Sequence, residues 1–325
     1  MTTNRVVAVL GASGFVGSAV VEALHRRGVT VRPVRTPRLG PVPAAGVRAA
    51  LSDQAALVDA LAEAFADVAA VVNAAGNPDA SSRDEPALIA ANALVPAVAA
   101  TAARAVGVPR FVQVSSAVVQ GRARSLDQSP ATSPFSAYSR SKALVEELVR
   151  EVAGRSAVVY RPPSVHAADR RVSRMIARIA RSPISSVARP GTSPTPQALL
   201  PNVADAVAYL ATCGQTPPSV VAHPSEGLTT AGLLELLGGR PPREVPRPVA
   251  VAAVAALGAA GRLLPALAAD ARRVEMLWLG QAQAPSWLTE AGWEPPVGHD
   301  GWAALGRQLA EAAEPAAHTT RRDGT

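Results

Sequence analysis

Near the middle of the chain, Tyr138-Ser139-Arg140-Ser141-Lys142 sets a phenol and an ammonium four positions apart. Residues at that spacing share one face of a helix. An undisturbed tyrosine titrates near 10. A cation about 4 Å away contributes roughly 4 kcal/mol at an effective dielectric near 20. That is enough to draw the phenol toward neutrality, where general acid–base catalysis is most efficient. A solvated Tyr–Lys pair is the plainer reading of such spacing. It weakens here because Lys142 is the only lysine of the 325-residue chain and Tyr138 is one of three tyrosines. All the other basic side chains, histidines aside, are arginine, which does not release its proton.

A second group of residues handles phosphate. Gly11-Ala12-Ser13-Gly14-Phe15-Val16-Gly17 follows an apolar run, Val6–Leu10, and opens a helical pattern. Gly11 permits the tight turn, Gly14 lets backbone approach a pyrophosphate, and Gly17 lets the helix pack on the sheet. Ser13, Phe15 and Val16 complete the cofactor-lining set on the helix N-terminus, whose free N–H groups and partial positive charge suit phosphate. Glycine triplets also make ordinary turns, but the strand–turn–helix setting favours a dinucleotide site. A third element, Val114-Ser115-Ser116, ends a predicted strand. Ligands of parallel α/β sheets sit at that end, where a hydroxyl can polarise a carbonyl. A turn-forming serine is the alternative.

The elements that must position these residues alternate. Strands are predicted at Val6–Leu10, Val29–Val34, Ala69–Asn73, Phe111–Ser115 and Ala157–Tyr160. Helices are predicted at Phe15–Arg27, Gln54–Ala66, Pro86–Val106 and Tyr138–Val152. This alternation predicts a doubly wound α/β fold on a parallel sheet. After Arg161 the pattern loosens. Pro183–Pro201 reads as loop, Val203–Thr212 as a helix, and Thr229–Leu237 as a helix capped by Thr229 or Thr230. The expected division is a dinucleotide-binding domain over 1–160, with 198–212 returning to it. A smaller substrate lobe covers 161–197 and 213–312, and 313–325 form a flexible tail.

Composition narrows the classes further. Nearly half the residues are hydrophobic (48%) and only 3% are aromatic, which supplies a core but not a base-stacking surface. A single cysteine, Cys213, excludes an internal disulfide and fits a reducing compartment. The histidines show no metal-ligand spacing, and His166 is expected to be structural. The net charge of +7 comes from arginines spread along the chain, so no nucleic acid is expected as partner. Met1 to Arg5 leads straight into a strand, so a cytoplasmic location is expected. Pro248–Gly261 is apolar but, at 14 residues, too short to span a membrane, and reads as a buried or interfacial helix. The Pro86–Val106 helix is apolar on nearly every side; with Tyr138–Val152 it suggests a homodimer interface, the rival being burial within one chain.

Taken together, these motifs resemble the extended short-chain dehydrogenase/reductases, the NAD-dependent epimerase/dehydratase family. The resemblance runs from residue 5 to 312. It includes Val71–Gly76, Asn92, Val114–Gly121, Arg161-Pro162-Pro163-Ser164-Val165 and Val203-Ala204-Asp205. It implies a Rossmann-type sheet and an oxidoreductase or epimerase in which Ser116 polarises the reacting oxygen and Tyr138 exchanges its proton. Lys142 would bind the nicotinamide ribose and tune Tyr138, and Ala74, Ala75 and Pro162 would line the cofactor. The implied reaction moves a hydride to or from a secondary alcohol or ketone of a sugar-like small molecule. A nucleotide-deoxysugar ketoreductase is expected, with an NAD-dependent epimerase as the alternative and a non-catalytic NADP-binding regulator as the rival of another class.

Three departures bear on specificity. After the second strand, NAD-preferring members carry an acid; this chain has Arg35, with Arg32 and Arg38 nearby. Arginine can pair with a 2′-phosphate, which favours NADP over NAD, a solvated basic loop being the alternative. The family's Tyr-Gly after the serine is Gln120-Gly121, and its Val-Tyr-Gly is Val165-His166-Ala167. An arginine often found before Val203-Ala204-Asp205 corresponds to Ala198. Arg170, Arg174, Arg178 and Arg181 recur at helical spacing and either replace that phosphate contact or form a solvated face.

Overall fold

The computed structural model describes residues 5–263 and 268–313. The chain opens with β1 (Val6–Leu10), α1 (Phe15–Arg26) and β2 (Thr30–Val34). Two short helices, α2 (Val47–Ser52) and α3 (Ala55–Ala64), lead to β3 (Ala70–Asn73). The sequence reading missed α2. Gln54 precedes α3 at the N-cap position without a side-chain bond.

The long apolar helix is broken in three. α4 (Glu85–Ile89) passes through one π turn (Ala90–Leu94) into α5 (Val95–Ala105). By length and composition this run could cross a membrane, but most of it is buried inside the molecule. β4 (Phe111–Val114), the two-residue β5 (Ser125–Leu126), α6 (Ala137–Ala153) and β6 (Ala157–Arg161) follow.

The second half contains β7 (Ser164–His166), α7 (Arg171–Arg181), β8 (Ser186–Ala188), β9 (Gln197–Leu199), α8 (Leu200–Thr212) and β10 (Val220–Ala222). Beyond them lie α9 (Thr230–Gly238), β11 (Arg243–Val245), α10 (Arg247–Leu263), α11 (Ala268–Leu279), β12 (Ala282–Gln283), α12 (Trp287–Glu290) and α13 (His299–Glu311). Thr229 caps α9 by accepting the Gly232 amide at 3.1 Å, as its residue type suggested.

Six parallel strands form the central sheet in the order β10-β6-β4-β3-β1-β2. This is the expected Rossmann-type arrangement. One face packs on α3, α5 and α6 through residues such as Leu10, Phe65, Ala97 and Val145. The other packs on α1 and α8 through Val9, Val20, Leu24 and Val207. A separate cluster, including Ile176, Leu233 and Trp302, joins α7, α9 and α13.

Three expectations are corrected. The segment Pro183–Pro201 is not all loop. It contributes β8, paired with β11, and β9, paired with β7. These strands have three residues each, too few for an alternation to register. The edge strand β10 comes from a stretch assigned to the lobe. And α5 is buried on nearly every side within this one chain, Ala99 included, so an arginine there would enter the core rather than an interface. Nearly all of the expected tail lies outside the described residues.

Candidate active site

The glycine turn is built by close approach. Gly11 adopts φ +75°, and a Cβ there would lie 2.7 Å from the Ala75 amide nitrogen. A Cβ on Gly17 would fall on the Gly11 carbonyl oxygen. The turn is held to the segment just past β2: the Gly11 amide donates to Thr36 Oγ1 at 3.1 Å. Gly14 caps α1 with no side-chain bond, leaving the helix N-terminus open toward a ligand. A cleft of about 2340 Å³ lies against this turn at the carboxyl ends of the strands. Gly11, Ser13, Gly14, Phe15, Val16, Arg35, Ala74, Ala75 and Pro162 all line it. Gly17 does not; its role is packing. A turn drawn this close to the neighbouring backbone by its glycines, opening onto a helix N-terminus with no side-chain cap, fits the diphosphate of a dinucleotide.

Ser116, Tyr138 and Lys142 line the same cleft. Tyr138 is the second residue of α6, whose start is fixed by a reciprocal cap between Ser136 and Ser139. One turn later Lys142 is buried, and its Nζ donates to the Val114 carbonyl at 3.2 Å. The two neighbouring serines divide. Ser115 Oγ donates to Glu146 Oε1 at 2.6 Å in a buried network, whereas Ser116 is half-buried and its Oγ accepts only the Val118 amide, at 3.3 Å. Ser116 therefore keeps a proton to give.

The electrostatics depart from the sequence expectation. Tyr138 is not drawn toward neutrality: burial pushes its phenol up to about 12, and the cation opposing this is Arg170. Lys142 is pulled down to about 8 by its own burial, with Glu146 opposing. Both side chains line one cleft, but burial, not a field between them, is the largest influence on each.

Sequence reasoning gave no role to several neighbours. Asn92, in the π turn, accepts the Asn77 amide at 2.7 Å and donates to Ser141 Oγ at 3.0 Å, tying α4–α5 to α6. Glu146 and Arg161 form a fully buried ion pair at 2.6 Å beneath the site. Arg272, Arg273 and Met276 bring α11 to the cleft wall, a placement no local pattern foretells.

The arginines divide by role. Arg32 donates to the Ala64 and Ala66 carbonyls at 3.0 and 2.7 Å, so its guanidinium is spent on the end of α3. Arg35 and Arg38 are exposed at the cleft. Arg170 lies over the Phe15 ring at 4.4 Å, and Arg174 also lines the cleft. Arg178 is exposed, while Arg181 donates to the Leu309 carbonyl at 2.8 Å. The stripe is therefore neither one site nor one solvated face. Ala198 is buried in β9. His166 is held by Ser173 at 3.0 Å and Gln197 at 2.8 Å, and burial pulls it down to about 4, a structural role.

Residues 7–192, more than half of the chain, match the NAD dependent epimerase/dehydratase family model. No curated protein sequence matches the chain. Among solved structures, a UDP-glucuronic acid 4-epimerase from Bacillus cereus with NAD is 17% identical, covering 95% of this chain and 100% of its own, with a TM-score of 0.62. The UDP-glucose 4-epimerase of Thermus thermophilus with NAD is 21% identical over 95% and 100%, at 0.60. A dTDP-4-dehydrorhamnose reductase from Bacillus anthracis with NADP is 14% identical over 95% and 100%, at 0.59. The likeness to these three is one of fold.

Proposed function

Because the chain belongs to the NAD-dependent epimerase/dehydratase family, we propose that it is an NADP-dependent reductase acting on a ketone of a sugar-like substrate, a nucleotide-activated deoxysugar. The observation that carries this reading is that Ser116, Tyr138 and Lys142 share one cleft with the glycine turn and with Arg35. When bound, the dinucleotide supplies the hydride. Ser116 Oγ donates to the substrate oxygen and polarises its carbon. The Tyr138 phenol gives that oxygen its proton. The phenol, raised by burial, is protonated at neutral pH and so has the proton to give. Lys142 holds the nicotinamide ribose, and the α1 N-terminus attracts the diphosphate. Arg35 and Arg38 meet the 2′-phosphate.

The second reading is an NAD-dependent nucleotide-sugar epimerase, the activity in the names of two solved relatives. A homodimer in the cytoplasm completes the proposal; the lone half-buried Cys213 is compatible with a reducing compartment.

The test is a fluorescence titration with NADPH and NADH, followed by turnover on a panel of keto-sugar nucleotides. NADPH should bind more tightly. Arg35→Ala should weaken NADPH roughly tenfold or more and leave NADH unchanged, the loss expected for one charge-assisted phosphate bond. Tyr138→Phe should bind NADPH normally and lose on the order of 10²–10⁴ in rate. Tighter NADH binding would move the assignment to the epimerase. Undiminished turnover by Tyr138→Phe would end both readings.

A further inference from the structure

The helix α10 buries a narrow stripe and leaves most of residues 247–256 exposed. Ala250, Val254 and Gly261 face the protein, at the spacing of a single helix side. Val249 and Val251 are 57% and 46% exposed, and Ala252, Ala253, Ala255 and Ala256 are exposed beside them. Ile184, 78% exposed, precedes Ser185, whose carbonyl accepts the Arg243 amide at 2.9 Å in the ladder leading to α10. Apolar side chains left in water in this concentration mark an interaction surface.

The charge around the helix says what covers it. Arg240, Arg243 and Arg247 are exposed on the segment that leads into α10. The one acid there, Glu244, is already paired with Arg189 at 3.0 Å. From residue 245 to 269 the sequence holds no acidic residue, and both ends of the helix, Arg247 and Arg262, are basic. Two copies meeting through α10 would bring basic ends together in either a parallel or an antiparallel sense, with no acid to answer them. A planar anionic surface answers every one of these charges at once. An apolar strip framed by arginine on a helix lying flat is the pattern of interfacial attachment.

We propose that α10 is a docking face for an anionic lipid surface, with Val249, Val251 and the exposed alanines entering the interface and Arg243 and Arg247 meeting lipid phosphates. The contact is peripheral and reversible, since the helix is too short to span a bilayer and its side chains are small. It is independent of the assigned reaction.

Co-sedimentation of the full chain with vesicles tests it. The protein should bind vesicles of phosphatidylcholine with phosphatidylglycerol, release at high salt, and leave pure phosphatidylcholine vesicles alone. Val249→Asp/Val251→Asp should abolish binding. Arg243→Ser/Arg247→Ser should lower it roughly tenfold or more. All four positions are exposed, and an unchanged melting temperature confirms that each variant folds. No binding by the parent chain overturns the proposal, as does equal binding to both vesicle types. Binding untouched by both variants overturns the assignment to α10. Self-association in light scattering that Val249→Asp/Val251→Asp dissolves, without any vesicle binding, gives this face to a second copy instead and also overturns it.

Discussion

Lys142 carries a cost for the fold. Its ammonium sits in the interior, and its pKa falls from 10.5 to about 8. The folded chain therefore holds this proton less readily than the unfolded one. The stability contributed by this group is full above pH 10.5 and is lost as the pH falls through about 8. Lys142→Met removes the penalty and leaves no orphan, because the Val114 carbonyl also accepts Gln113 Nε2 at 2.9 Å. The variant should melt higher than the parent at pH 7, by about 3 kcal/mol in stability at most. It should also lack the parent's gain in stability between pH 8 and 9.5 and be inactive. A lower melting temperature at pH 7 would show that the ammonium is net stabilising where it lies. That these residues gather at one cleft was readable from the sequence: one lysine, four positions after a tyrosine, after a glycine turn and a serine pair. What the residues did not disclose was the direction in which Tyr138 titrates. That depends on how much water the finished cleft excludes, and on Arg170, which the fold brings in from a segment beyond β7.

At the level of elements, the joint between α6 and β6 holds the site level. Glu146, one turn beyond Lys142, accepts from Arg161 on β6 at 2.6 and 3.0 Å and from Ser115 at 2.6 Å. Arg161 also donates to the Ser129 carbonyl at 2.8 Å. Both charges of the pair are fully buried. Glu146→Gln keeps the shape but leaves a guanidinium uncompensated inside the protein, at a cost on the order of 3 kcal/mol. Urea unfolding should show that loss with an unchanged slope, and a midpoint equal to the parent's would refute the account. Long periodic elements such as α1, α6 and α8 were legible, as was the Thr229 cap. The short strands β8, β9 and β10 were not, because three residues cannot display a period and their pairing is settled by partners up to 61 residues away. The ion pair was equally hidden: nothing in the local pattern joins Glu146 to Arg161, and both are fully buried only once the sheet closes over them.

At the level of the whole molecule, the chain leaves the central sheet after β6 and comes back to it at β10, beside the strand it left. On the way it lays α8 against α1, covering the sheet's second face. The sheet thus lacks both an edge and a covering layer until residue 222 has been made, and the lobe residues between β6 and β10 are a loop pinned at both ends. Cooperativity follows from that return. Cofactor half and lobe should therefore unfold together, and a calorimetric scan of the whole chain should show one transition whose van't Hoff and calorimetric enthalpies agree. A fragment ending at residue 165, whose sequence contains every element from the glycine turn to Lys142, should precipitate or remain unfolded. Its failure would mean that the residues proposed to do the chemistry are all present before the structure that brings them together can exist.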